Sequence, residues 1–409
     1  MKGRNFQAKL LKSALVWLVA IAIILIIDLL TNSVTEFEGI TWDFSHYINM
    51  AEAGVLKNPN LVAPYAYRPL PSLIAGWLSR IFRFSTWRSF KLMAYAGASF
   101  NALTLFWLLE KMGFKFKQIV FVLVICNLQF FQLKFLLFDP FRPDHLIFSL
   151  INLAYLAILY NSPVVLSLVT SLGLLMREFI VIPLIAFMVE KIWRRKEALG
   201  NTLAVGILPL FVFAGLRLLI PVNGSEMYLE TTSVNNLTQS ILNILTDWKR
   251  LLNILFCLAG FALPLLMLFT HKRWVTAWDL LDENYRLLIV VHTLVTFALV
   301  LIGGTDLGRF IVYLYVPTAM LLASMFASSK INNVEMGLVF IGVLVFNRVL
   351  WQIPTTSLDG YLDFYGGYDS RVNLASGLRA LEVTGWVGLS FGLRWFFQRK
   401  RSDKIYRKI

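Results

Sequence analysis

Apolar runs close to the length of a bilayer crossing recur along most of this chain, and that pattern limits what it can fold into. A hydrocarbon layer ~30 Å thick takes about 20 helical residues to cross. Inside it no water pairs the backbone, so a crossing segment is a helix or a strand of a closed barrel. Barrel strands would alternate apolar and polar residues over about ten positions, and that alternation is missing. Hydropathy read with flanking charge places spans near 13–30, 88–109, 118–137, 145–160, 162–176, 178–191, 201–220, 250–270, 287–303, 310–328, 333–349 and 382–397, about twelve in all. The expected fold is all-α, a polytopic transmembrane helical bundle, with 1–409 forming a single integral membrane domain.

Charge sets the orientation. A formal charge of +14 on a soluble domain would suggest nucleic acid. Here the Lys and Arg residues cluster at helix ends and at both termini, so they read as topology signals and no nucleic-acid partner is expected. Grouping Lys111, Lys115 and Lys117, then Lys191, Arg194, Arg195 and Lys196, then Lys272 and Arg273, and the tail from Arg399 to Lys408 on the cytoplasmic side puts both termini inside. The first run follows Lys2, Arg4, Lys9 and Lys12, and Thr31-Asn32-Ser33-Val34 behind it offers no small-residue cleavage site, so it is expected to remain as an anchor. Cys126 and Cys257 both lie in apolar stretches, which argues against a disulfide framework or a thiolate metal site. The expected location is a plasma (inner) membrane, crossed many times.

The segment Tyr67 to Arg83 decides the parity. Counting it as a span would put Lys111 to Lys117 outside. It is only about 16 residues long, opens on Arg-Pro-Leu-Pro and carries Arg80 and Arg83, which suits a helix lying in the interface plane. Residues 31–87 are therefore read as one long external loop containing two interfacial helices, with further external loops at 221–249 and 350–381. Leu166 to Glu190 is read as two spans, with a re-entrant pair as the alternative.

On this map four polar constellations share the external side. Asp43, within Trp42-Asp43-Phe44-Ser45-His46-Tyr47, precedes a short amphipathic helix on which Tyr47, Met50 and Ala51 share a face; it reads equally as a helix cap and as a proton acceptor. Asp139-Pro140-Phe141-Arg142-Pro143-Asp144-His145 gathers two carboxylates, a guanidinium and an imidazole, groups suited to a divalent metal or a phosphate, or else to a plain capped turn. Arg177-Glu178 interrupts an apolar stretch from Val164 to Val189, either as a mutual ion pair or as a phosphate-binding Arg oriented by its neighbour. Gly303-Gly304-Thr305-Asp306-Leu307-Gly308-Arg309 sets Asp306 and Arg309 one turn apart, facing one cavity or forming a local salt bridge. His271 and His292 show no metal-ligand spacing and receive no role. A single external site joins these segments best: Asp43, acids of the 139–144 turn, and Arg68, Arg177 or Arg309 for an anionic lipid head group.

In that order the residues resemble the GT-C-type polytopic membrane glycosyltransferases, which use polyprenyl-phosphate-linked sugars as donors. The resemblance rests on Asp43 in the first external loop, Tyr67 to Pro71 further along it, Asp139 and Asp144 in the second, Arg177-Glu178 at a later helix break, and the Gly303 to Arg309 turn. It implies transfer of a sugar from the lipid carrier to a glycan, lipid or protein acceptor on the external, periplasmic face, with inversion. Asp43 would then be the base. Arg177 and Arg309, with Arg68 in reserve, would stabilise the departing phosphate. Asp139 or Asp144 would orient the acceptor, and His46, Tyr47, Arg142, Glu178 and Asp306 would complete the substrate site. Many members carry a second acid beside the first-loop Asp, where Phe44 stands here, so the resemblance leaves a divalent metal, Mg or Mn, open. The rival from another class is a transporter or flippase for a lipid-linked or small anionic solute. A polysaccharide polymerase or ligase is the rival among enzymes.

Overall fold

A computed structural model describes residues 2–31, 43–56, 58, 60–128, 136, 140–194, 199–220, 222, 224–225, 242, 246, 255, 258–302, 310–329, 331–349, 356 and 380–396. Most of these are helical. In chain order the helices are α1 (Lys2–Leu30), α2 (Asp43–Ala53), α3 (Pro69–Phe82), α4 (Thr86–Lys111), α5 (Phe116–Asn127), α6 (Asp144–Leu159), α7 (Pro163–Leu174), α8 (Val181–Val189), α9 (Leu199–Leu219), α10 (Leu263–Leu268), α11 (His271–Leu280), α12 (Glu283–Ile302), α13 (Tyr315–Ser328), α14 (Asn333–Phe346) and α15 (380–396). The β structure described is a two-residue parallel pairing of Val62–Ala63 with Gly224–Ser225, which ties the segment before α3 to the one after α9. Among the described residues three helices are long and apolar enough to cross a membrane: Lys9–Leu30, Thr86–Lys111 and Gly200–Leu219.

The pairing of α1 with α4 supplies a ruler. The two helices run antiparallel, joined at one end by Lys9 Nζ and Glu110 Oε2 at 3.1 Å and at the other by Lys91 Nζ and Asp28 Oδ1 at 2.8 Å. Lys91 and Glu110 are 19 residues apart on α4, so the apolar stretch between the ion pairs is about 28 Å long, close to the thickness of a hydrocarbon layer. Within it two indole donors cross the pair, Trp17 to Ser99 at 3.2 Å and Trp107 to Ser13 at 3.0 Å. Helix α4 begins on a Ser85 cap and ends where Gly113, at φ +88°, lets Phe114 N–H return to the Leu109 carbonyl.

Helices α4, α5, α6 and α13 meet around a buried amide belt. Asn152 donates to Asn101 Oδ1 at 2.9 Å and to Thr104 Oγ1 at 3.0 Å, Asn101 donates to Asn127 at 3.3 Å, and the Tyr315 hydroxyl donates to Asn152 Oδ1 at 2.7 Å. Buried amides fix register because each donor left without its acceptor would cost about 1–3 kcal/mol. Ser149 donates to the Gly97 carbonyl, and a methyl on Gly97 would press on the His145 backbone and Cβ. That contact sets the start of α6 level with Gly97, six residues or about 9 Å inward of Lys91.

Helices α7 and α8 form an antiparallel hairpin. Leu166 near the start of α7 packs with Leu184 and Phe187 of α8, Gly173 meets Ile180 across the tip, and Lys191 Nζ donates to Asn161 at 3.2 Å at the base. Helix α7 has 12 residues, about 18 Å, and α8 is continuous with the 3-10 turn at Glu178–Ile180 before it and a π-helical stretch at Glu190–Arg194 after it. The spans expected at 162–176 and 178–191 are thus adjacent antiparallel arms, an arrangement common to two crossings and to a re-entrant pair. Helix α3 has 14 residues, about 21 Å, with Leu73, Trp77, Ile81 and Phe82 exposed.

Candidate functional site

The hairpin tip opens where α7 stops after Leu174. Arg177 is extended (φ −169°, ψ 142°) between that helix and a 3-10 turn at Glu178–Ile180. In extended backbone successive side chains point to opposite sides. The two charges of the interruption therefore take different partners instead of each other, so the mutual ion pair entertained from the sequence gives way to two separate ones.

Arg177 points inward. Its Nη1 donates to Asp144 Oδ1 at 2.7 Å, with 3% and 0% of the two side chains exposed. The Tyr313 hydroxyl donates to the same oxygen at 3.3 Å, and the guanidinium lies 4.8 Å from the Phe179 ring centre and 5.9 Å from that of Tyr313. Arg177 Nε has no hydrogen-bond partner among the described residues. Asp144 is the first residue of α6, so its carboxylate also meets the positive end of that helix.

Glu178 points the other way. It accepts from Arg68 Nε at 3.2 Å and Nη2 at 3.1 Å, and Arg217 Nη2 of α9 stands 3.8 Å away. Arg217 in turn lies over the rings of Phe213 at 3.5 Å and Tyr67 at 4.9 Å. Arg68 also donates to the phenol of Tyr47, which is buried on α2. Burial disfavours the Arg68 cation, yet Glu178 and Tyr47 outweigh that and hold its pKa above the ordinary value. Burial likewise pushes the Tyr47 phenol up, against the opposing pull of Arg68, Arg177 and Arg142.

Four guanidinium groups (Arg68, Arg142, Arg177 and Arg217) thus surround Tyr47 and Glu178 from separate segments. Arg177 pairs with Asp144, while Arg68 and Arg217 share the single carboxylate of Glu178. His46 stacks on Tyr65 at 4.7 Å, and Tyr47 meets the same ring edge-on at 5.6 Å. Phe44 packs on Phe141 at 5.4 Å, so the start of α2, where Asp43 is the first helical residue, sits against the turn before α6. Among the described residues no three His, Cys, Asp or Glu side chains cluster as a metal site would require.

Beside this cluster runs an apolar cleft of about 720 Å³ between α2, α3, the hairpin tip and α9. Leu56, Leu73, Leu175, Phe211, Leu216 and Ile220 are among its walls. Pro69 and Gly215 also line it, the first next to Arg68 in sequence and the second two residues before Arg217. The Leu70 N–H bonds the Leu175 carbonyl at 3.1 Å and fixes α3 to the tip there.

Of the residues expected from the sequence, the structure brings together His46, Tyr47, Arg68, Arg142, Asp144, Arg177 and Glu178. Asp43 is placed by its backbone, and Asp139, Asp306 and Arg309 lie outside the described residues. Three contributors escaped the sequence reading. Arg217 is the sole charge of the run 201–220, a signal that marks an intramembrane functional candidate. Tyr313 and His292 carry no such signal. The Tyr313 carbonyl accepts from His292 Nε2 at 2.7 Å, which leaves Nδ1 of a neutral ring to accept from the Tyr155 hydroxyl at 2.6 Å, and this chain holds Tyr313 toward Asp144. The chain matches no protein-family model, no curated protein sequence and no solved structure.

Proposed function

We propose that this protein is a membrane glycosyltransferase of GT-C type, a bundle of about twelve membrane segments that moves a sugar from a polyprenyl-phosphate carrier to an acceptor on the non-cytoplasmic face. The observation that carries the reading is an arginine pair, Arg68 and Arg217 sharing the one carboxylate of Glu178, set beside an apolar cleft. A long isoprenoid needs such a cleft, and its phosphate needs such cations. As the sugar leaves, the carrier changes from a phosphodiester with one negative charge to a monoester approaching two. Arg68 and Arg217, two guanidinium groups on one carboxylate, answer that change, and in a site screened from water they act most strongly on the developing charge.

In this mechanism Asp43 removes the acceptor hydroxyl proton. The acceptor oxygen forms its bond to the anomeric carbon as the bond from that carbon to the phosphate oxygen breaks, and the electron pair departs with the carrier. Asp144 does not serve as a base: it has no exposure and is bonded to Arg177, so its role is to aim that guanidinium. Tyr47 and Tyr65 are buried beneath His46, which is the half-buried ring of the three and the one that meets a sugar.

The test incubates purified protein with polyprenyl-phosphate sugars and follows release of the carrier phosphate. Asp43→Asn is expected to lower turnover by on the order of 10²–10⁴-fold; unchanged turnover removes Asp43 from the mechanism. Passage of solute across vesicles without phosphate release replaces this reading by a transporter or flippase. Growth of a lipid-linked chain makes the enzyme a polymerase or ligase.

A further inference from the structure

The far end of α3 is built differently from the lipid-facing surfaces of α1 and α9. Leu73, Trp77 and Ile81, four residues apart, form an exposed apolar row along it. Arg80, Arg83 and Arg88 are all exposed at its end and at the start of α4. The corner joining the two helices is held in place. Arg83 takes a left-handed conformation (φ 54°), Ser79 Oγ donates to the Phe84 carbonyl at 2.7 Å, and the Phe84 ring stacks on Phe82 at 5.6 Å. From Pro69 to Arg88 the sequence contains no acid. Among the described residues none of the three arginines forms an ion pair. Glu52 reaches the same corner, accepting from Thr86 Oγ1 at 2.8 Å, so the corner keeps a positive surplus.

The ruler on α4 gives this corner a depth. Lys91 marks one end of the apolar stretch shared with α1, and Arg88 lies one turn, about 4–5 Å, beyond it. That is the level of phospholipid head groups if the stretch fills the hydrocarbon layer. The apolar row then lies against acyl chains, with Trp77 suited to the boundary. Guanidinium groups bind phosphodiester oxygens in pairs, where an ammonium acts as a point charge.

We propose that this corner is a docking surface for anionic phospholipid head groups. An acidic soluble protein would satisfy the arginines but would leave the apolar row on the same face without hydrocarbon. The surface shares Leu73 with the cleft of the glycosyltransferase reading but none of its three arginines, so loss of lipid preference and loss of turnover are separable failures.

The test reconstitutes the full chain in bilayers of phosphatidylcholine with phosphatidylglycerol. Spin-labelled versions of each lipid then report the fraction immobilised by the protein. The wild type is expected to favour phosphatidylglycerol several-fold at low salt, with the preference fading as salt rises. R80Q/R83Q/R88Q is expected to bring the ratio close to unity, and R80K/R83K/R88K to keep most of it. Equal immobilisation of the two lipids by the wild type overturns the proposal, as does an unchanged preference in the Gln variant. Should the triple variant not fold, each single Gln change is expected to lower the ratio, and three unchanged ratios overturn the proposal equally.

Discussion

The contact between Asp144 and Arg177 yields the sharpest stability prediction. Asp144→Asn keeps the shape of the side chain and removes its charge, leaving a guanidinium that is 2% exposed and already lacks a partner at Nε. Breaking one side of a buried ion pair costs about 3–5 kcal/mol, and the amide oxygen that still accepts from Arg177 keeps the loss near the lower figure. A loss of ~3 kcal/mol lowers the folding equilibrium constant by roughly two hundredfold. Replacing both partners, Asp144→Leu with Arg177→Met, removes the desolvation penalty along with the attraction. Such swaps range from neutral to about 1–4 kcal/mol stabilising. The pair would then be retained for what Arg177 does to a phosphate, and the double variant should fold well and turn over poorly. The assay is an SDS unfolding titration in mixed micelles followed by tryptophan fluorescence, with carrier-phosphate release measured on the same samples. An Asp144→Asn variant within ~0.5 kcal/mol of wild type refutes the buried pairing, and a double variant with full turnover refutes its functional purpose.

Three further outcomes follow from the packing around this site and along α4. Gly76→Ala puts a methyl onto the carbonyl oxygen of Ala51, backbone that cannot step aside, so α2 and α3 must separate; a loss of about 1–3 kcal/mol in the same titration is expected, together with reduced turnover. The raised pKa of Arg68 means its contribution to stability is fully present below the unfolded guanidinium value and is lost only as pH rises through the still higher folded one, so Arg68→Gln should destabilise by the same amount from roughly pH 6 to 9; a cost that varies across that window counts against the pairing with Glu178. In a background with Cys126→Ala and Cys257→Ala, an impermeant maleimide should label Ser85→Cys from one side of the membrane and Lys111→Cys from the other, and labelling of both from one side removes the ruler on α4.

Much of the helical layout is legible in the apolar runs. The runs at 88–109, 145–160 and 201–220 became α4, α6 and α9 within a few residues, because a long apolar stretch has few other ways to pair its backbone. The break between the expected spans 162–176 and 178–191 was legible at Arg177-Glu178, but only the local backbone shows that the two charges turn to opposite sides. The site was half legible for a related reason. Asp144, Arg68 and Arg177 stood out as charges in apolar surroundings, but which acid meets which base depends on helix packing that no spacing encodes. Arg217 was passed over because a cation near a helix end also reads as an orientation signal. Tyr313 and the Asn101–Asn152 belt look like ordinary residues of apolar helices until their partners are in place.

The claim on which the function rests is that the cleft between α3 and α9 holds an isoprenoid tail with its phosphate at Arg68 and Arg217. Photolabelling the purified protein with a diazirine-bearing prenyl phosphate tests this directly, with the adducts located by mass spectrometry. Adducts are predicted in the segments carrying Leu56 and Leu73 and on the face of α9 from Phe211 to Ile220, competed by unlabelled prenyl phosphate and lost in Arg68→Gln with Arg217→Gln. Labelling spread along α1 and the exposed face of α9 without competition, or unchanged by the arginine substitutions, would contradict the account.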